Sequence, residues 1–168
     1  LVRTLPAATT TRCMVATAVE DGVRYREDAA KFLRGGAVRR HVREDGSLCI
    51  DGSLGYFNGG GGPEVHAVLG PKTMTWSDSG HLELTGKIMG PGLVFCIPGF
   101  NDEAMFYSHL YYEVEGTFFG EPVEGIVPYE NCWLPTGKLY TDGPILQRYE
   151  EAWCAFATIY EDGSVQYG

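Results

Sequence analysis

From Met105 to Glu115 the chain reads Met-Phe-Tyr-Ser-His-Leu-Tyr-Tyr-Glu-Val-Glu, and its alternate residues form two different sets. Side chains alternate sides along a strand. Phe106, Ser108, Leu110, Tyr112 and Val114 therefore share one face, which reads as the core face. The other face carries Met105, Tyr107, His109, Tyr111, Glu113 and Glu115. A solvated face would hold more Lys, Thr and Ser, so this one is read as the lining of a pocket. His81–Ile88 alternates as clearly, with Leu82, Leu84 and Ile88 opposed to His81, Glu83, Thr85 and Lys87.

Further runs of Val, Ile, Tyr, Phe and Thr predict strands over Cys13–Val19, Ala37–Arg43, Leu48–Ile50, Val65–Leu69, Thr73–Trp76 and Leu93–Ile97. Pro122–Val127, Trp153–Tyr160 and Ser164–Tyr167 follow the long strand. Turns are expected at Asp21-Gly22, Asp45-Gly46, Asp51-Gly52, Gly70-Pro71, Gly120-Glu121, Asp142-Gly143 and Asp162-Gly163. Asp-Gly favours tight hairpins because both residues tolerate positive φ. One helix is predicted over Arg24–Arg34, where Tyr25, Ala29, Phe32 and Leu33 fall on one face and Gly35-Gly36 is a stop. The glycine run between Asn58 and Pro63 lacks the Lys-Ser/Thr of a phosphate-binding loop and is expected to be a mobile loop at a cavity mouth.

Repeated hairpins make the class all-β. An antiparallel β-barrel with one short helix is the expected architecture, with a β-sandwich as the alternative. A small barrel can hold a ligand where a sandwich fills its interior. At 168 residues the chain suits a single domain, 1–168.

A formal charge of −9 argues against nucleic acid and anionic membranes as partners. No apolar stretch is long enough to span a bilayer. The start, Leu-Val-Arg-Thr-Leu-Pro, has neither an initiator Met nor a signal-peptide run, so a trimmed or processed chain is expected. The five cysteines are odd in number, widely spaced and set among apolar residues, as in Val94-Phe95-Cys96-Ile97. They read as buried thiols of a reducing, cytoplasmic compartment rather than disulfides or zinc ligands. An exposed strand edge would be a place for a homodimer to pair.

The chemistry-bearing residues lie in the second half. His109 can act as a general acid or base near neutral pH. Glu130, between Tyr129 and Trp133, would be desolvated in a closed aromatic cavity, which raises a carboxyl's pKa and lets it donate a proton. Tyr107 and Tyr111 flank His109 on its own face and could orient a substrate oxygen; Tyr129, Trp133 and Glu113 complete the expected substrate contacts. Each has a plainer alternative in packing or a solvated surface. Neither a metal nor another cofactor is called for.

Tyr107-Ser108-His109-Leu110-Tyr111-Tyr112 leads into Val114-Glu115-Gly116-Thr117, then Gly120-Glu121-Pro122-Val123-Glu124-Gly125, then Tyr129-Glu130-Asn131-Cys132-Trp133. This succession resembles the lipocalin-like enzymes of the carotenoid hydratase and AttH type, as does Trp153 with Tyr160-Glu161-Asp162-Gly163-Ser164. The resemblance runs from Leu82 to Gly168 and departs where Leu134, not Gly, follows Trp133. Family members often contain two barrel-like halves, and this chain has length for one. The resemblance implies a lipocalin-like (calycin) barrel acting on an apolar isoprenoid or polyketide. Hydration, isomerisation or cyclisation would each fit, since each can begin with protonation of the substrate by His109 or Glu130. A carrier that binds such a ligand unchanged, or a carbohydrate-binding sandwich, is the alternative.

Overall fold

A computed structural model describes residues 2–5, 9–12, 16–19, 21–25, 33–34, 37–53, 64–78, 81–97, 105–135 and 155–168. Short strands come first: β1 (Val2–Leu5), β2 (Thr9–Arg12), β3 (Ala16–Val19), β4 (Gly22–Tyr25) and β5 (Leu33–Arg34). The remainder are β6 (Ala37–Val42), β7 (Leu48–Ser53), β8 (Glu64–Leu69), β9 (Thr73–Asp78), β10 (Leu82–Ile88), β11 (Leu93–Ile97), β12 (Met105–Phe118), β13 (Glu121–Trp133), β14 (Ala157–Ile159) and β15 (Val165–Tyr167). The fold is all-β, and every pairing with a defined register is antiparallel.

The helix expected over Arg24–Arg34 is corrected at both ends. Tyr25 pairs with Ala16 in the β3–β4 hairpin, and Arg34 pairs with Thr11 across β5 and β2. The backbone groups at those ends are committed to neighbouring strands, which overrides a weak helical spacing. Residues 26–32 lie outside the described residues, as do the Asn58–Pro63 glycine run and Asp142-Gly143.

Contacts group the chain into two compact units, Leu1–Thr85 with Glu115–Val123, and Gly86–Val114 with Glu124–Gly168. In the first, β6, β7, β8, β9 and β10 are successive neighbours, the up-and-down order of a barrel-type meander. Its register stacks Leu48 on Leu69 and Met74, and Ile50 on Ala67 and Trp76. Ile50, Val65, Leu69, Met74 and Leu84 are buried, and Trp76 packs against Val65. Asp51-Gly52, expected as a turn, instead lies inside β7, with Asp51 opposite His66 and Gly52 opposite Val65.

In the second unit, β12 is flanked on one side by β11 and the end of β10, and on the other by β13. The turn between β12 and β13 is Phe119-Gly120, one residue earlier than expected. Both residues have positive φ, 52° and 79°, the conformation of a type I′ hairpin. Cys49 is buried as expected, but Cys96 is exposed. It stands opposite Phe106 on an outward row of side chains. Cys13 and Cys154 lie outside the described residues.

Candidate functional site

β12 does not keep one buried face. Met105, Tyr107, His109 and Tyr111 are buried, four of the six residues expected to line a pocket, whereas Phe106 is 41% exposed. Beyond Tyr111 the buried residues are Tyr112 and Val114, and Glu113 and Glu115 face outward. The expectation that the row from Phe106 to Val114 forms the core therefore holds only at its far end. What covers the strand explains this. β11 lays Phe95 against Tyr107, with rings parallel to within 8° at 5.4 Å, and β15 lays Tyr167 on Tyr111 at 4.9 Å and 27°.

The hairpin at Phe119-Gly120 folds β13 along β12 and carries Glu130 to His109. Glu130 Oε1 stands 3.7 Å from His109 Nδ1, and Tyr107 donates its hydroxyl to Glu130 Oε2 at 2.9 Å. His109 Nδ1 is also 3.2 Å from the Tyr111 hydroxyl, which donates to the main-chain oxygen of Gly168 at 2.7 Å. The rings of Tyr107, Phe95 and Tyr111 stand 4.9, 6.2 and 6.0 Å from the imidazole. Four residues expected from the sequence, Tyr107, His109, Tyr111 and Glu130, thus form one connected network.

Burial dominates its electrostatics. His109 is 4% exposed, and desolvation lowers its pKa below the ordinary value, while the Glu130 charge opposes this more weakly. Tyr111 is pushed up by burial first, then by Glu130 and Tyr167, so it keeps its hydroxyl proton. The Glu130 side chain is 28% exposed and links the buried imidazole to the surface.

A bulge beside the network fixes its backbone. The Met89 amide donates to the Tyr111 carbonyl, and the next defined pair is Leu93 opposite His109. Two steps along β12 are therefore matched by four on its partner, and the two surplus residues fall within Gly90-Pro91-Gly92. Gly92 has φ 81°, and a Cβ there would lie 2.5 Å from the His109 carbonyl oxygen. A Cβ at Gly90 would lie 2.5 Å from the Tyr167 hydroxyl. The Gly92 amide donates to that hydroxyl at 3.3 Å, so the bulge also seats β15.

The remaining expected contacts lie elsewhere. Tyr129 donates to Asn131 Oδ1 at 2.8 Å, Glu113 is exposed, and Trp133 is half exposed against Phe106 at 5.1 Å. Trp133 shares the outward row of β12 and β13, so it does not wall the His109 network. Phe95, Gly92, Tyr167 and Gly168 take part without having been singled out in the sequence. Only the Asp162-Gly163 hairpin signal hinted that a strand returns there, and nothing local said where it docks. Among the described residues, no group of three or more His, Cys, Asp or Glu is placed to hold a metal ion. No helix among them is long and apolar enough to cross a membrane. Compared with known protein families, curated proteins and solved structures, the chain has no match.

Proposed function

We propose that the second unit binds an apolar small molecule and moves a proton on it, in a cofactor-independent hydration, isomerisation or cyclisation of an isoprenoid- or polyketide-like substrate. One observation carries this reading: a buried imidazole kept neutral by desolvation stands 3.7 Å from a partly exposed carboxylate. A neutral imidazole is a competent base near pH 7, and an adjacent carboxylate stabilises the imidazolium formed when it accepts a proton. Tyr107 orients that carboxylate through Oε2, and the aromatic rings of Phe95, Tyr107 and Tyr167 supply apolar surroundings. The resemblance to lipocalin-like hydratases falls on the same residues, from Tyr107 to Tyr112 and around Glu130. Exposed coplanar rings, which a carbohydrate surface would use, are not favoured by Phe106 and Trp133, inclined at 59°.

Native mass spectrometry of the purified protein, with identification of any retained molecule, tests the binding half of the proposal. His109→Ala and Glu130→Gln then test the chemical half on that molecule or on an isoprenoid and polyketide panel. The expected outcome is retained binding with turnover reduced on the order of 10²- to 10⁴-fold. Binding with no turnover by the wild type would make the protein a carrier. No uptake from the panel would overturn the reading.

A further inference from the structure

Two contacts at His109 Nδ1 can be given a direction from groups that have only one role. The main-chain oxygen of Gly168 can only accept, and it takes both the Tyr111 hydroxyl at 2.7 Å and the Phe156 amide at 2.9 Å. The single proton of Tyr111 is therefore spent on Gly168. Tyr111 Oη turns its lone pairs to His109 Nδ1, 3.2 Å away. Glu130 Oε1 also faces Nδ1, at 3.7 Å, and a carboxylate is likewise only an acceptor. Both of these contacts call for a proton on that nitrogen.

We infer that His109 is held as its Nδ1–H tautomer, that Tyr111 is the positioning residue that sets it, and that Nε2 is the atom through which His109 takes a proton. Imidazole tautomers are fixed in this way by the hydrogen bond that the other nitrogen makes. Tyr111 then acts through His109 rather than by touching the substrate.

The consequence for chemistry rests on the proton-transfer reading above. A base that begins its cycle at Nε2 needs an acidic substrate proton, such as a C–H beside a carbonyl. That C–H bond breaks, the proton bonds to Nε2, and the electron pair moves into the carbonyl to leave an enolate. Return of the same proton to a different carbon of a conjugated enolate completes an isomerisation with no other reactant. The imidazolium formed between these steps faces the Glu130 carboxylate. Of the two proposed substrate classes, this selects enolisable, polyketide-like molecules over plain isoprenoid alkenes, which need an acid first.

The test is a long-range ¹H–¹⁵N correlation spectrum of protein labelled at histidine, recorded on the full chain above pH 7.5, with His109 assigned by its loss in His109→Ala. A pyrrole-type Nδ1 with a pyridine-type Nε2 is the expected result, and the reverse pattern overturns the inference. In Tyr111→Phe the tautomers should mix, and kcat should fall on the order of 10- to 100-fold with KM little changed. An unchanged tautomer in that variant overturns the role of Tyr111, and the wild-type spectrum decides the tautomer whether or not the variant folds. Nε2–H in the wild type alongside turnover lost in His109→Ala would sink this inference alone. Nδ1–H without turnover on any panel member would sink only the proposed function.

Discussion

His109 couples the chemistry of the site to the stability of the fold. Its pKa is lowered in the folded chain by burial, whereas the unfolded chain titrates near the ordinary value of 6.5. Below that value the unfolded state binds a proton that the folded state refuses. Stability from this group is therefore complete above about pH 6.5 and falls as pH drops toward the folded pKa, with a slope of at most about 1.4 kcal/mol per pH unit. Urea titrations between pH 5 and 8 should show this dependence in the wild type and a flatter one in His109→Gln. Since Glu130 raises the pKa of His109, Glu130→Gln should move the imidazole titration further down, which an NMR pH titration reads directly. A period of two was enough to place Tyr107, His109 and Tyr111 on one side. It did not show that this side is the covered one near Met105, because Phe106, Leu110 and Val114 are the more apolar set. Deciding that needed Phe95 and Tyr167, which come from other strands.

Turns show where local chemistry decides and where it yields. Asp45-Gly46-Ser47 and Asp162-Gly163-Ser164 form matching hairpin turns, each with Oδ1 of the aspartate accepting from the serine amide at 2.9 Å and hydroxyl at 2.6 Å. Both aspartates have lowered pKa values, caused first by the serine hydroxyl. Asp51-Gly52-Ser53 repeats the same three residues inside a strand. There the Asp51 carboxylate is taken across the sheet by His66 Nδ1 at 2.5 Å, and pairing with β8 wins over the turn. The Phe119-Gly120 turn matters most, because it sets which side of β13 meets His109. Inserting one glycine after Gly120 should reverse the facing of β13 and remove Glu130 from the network. The expected readout is an additional lowering of the His109 midpoint, as in Glu130→Gln. Gly120→Ala keeps the register but places a Cβ at φ 79°, and should cost about 1–2 kcal/mol in denaturant unfolding.

At the scale of the molecule, the two units are not consecutive stretches of chain, since Glu115–Val123 groups with the first half. β12 runs uninterrupted for 14 residues. Its passage depends on Gly116, where a Cβ would run into the Glu83 carbonyl oxygen and the Leu84 backbone. Gly116→Ala should therefore destabilise the protein by about 1–3 kcal/mol, measured as a lower urea midpoint. The all-β class was legible because alternation and Asp-Gly turns are local signals. The helix over Arg24–Arg34 was misread at its ends because strand partners far along the chain decide there.

The Gly90-Pro91-Gly92 bulge carries an even surplus, two residues, so the alternation of side chains against β12 keeps its phase on either side of it. Chain length at this point is consequently quantised in pairs. A homologue or a designed variant that lacks both surplus residues would still turn Leu93 and Phe95 toward the same row. A variant that lacks one would have to absorb the odd step in the backbone that touches His109. Natural or engineered length changes here are expected to come in twos.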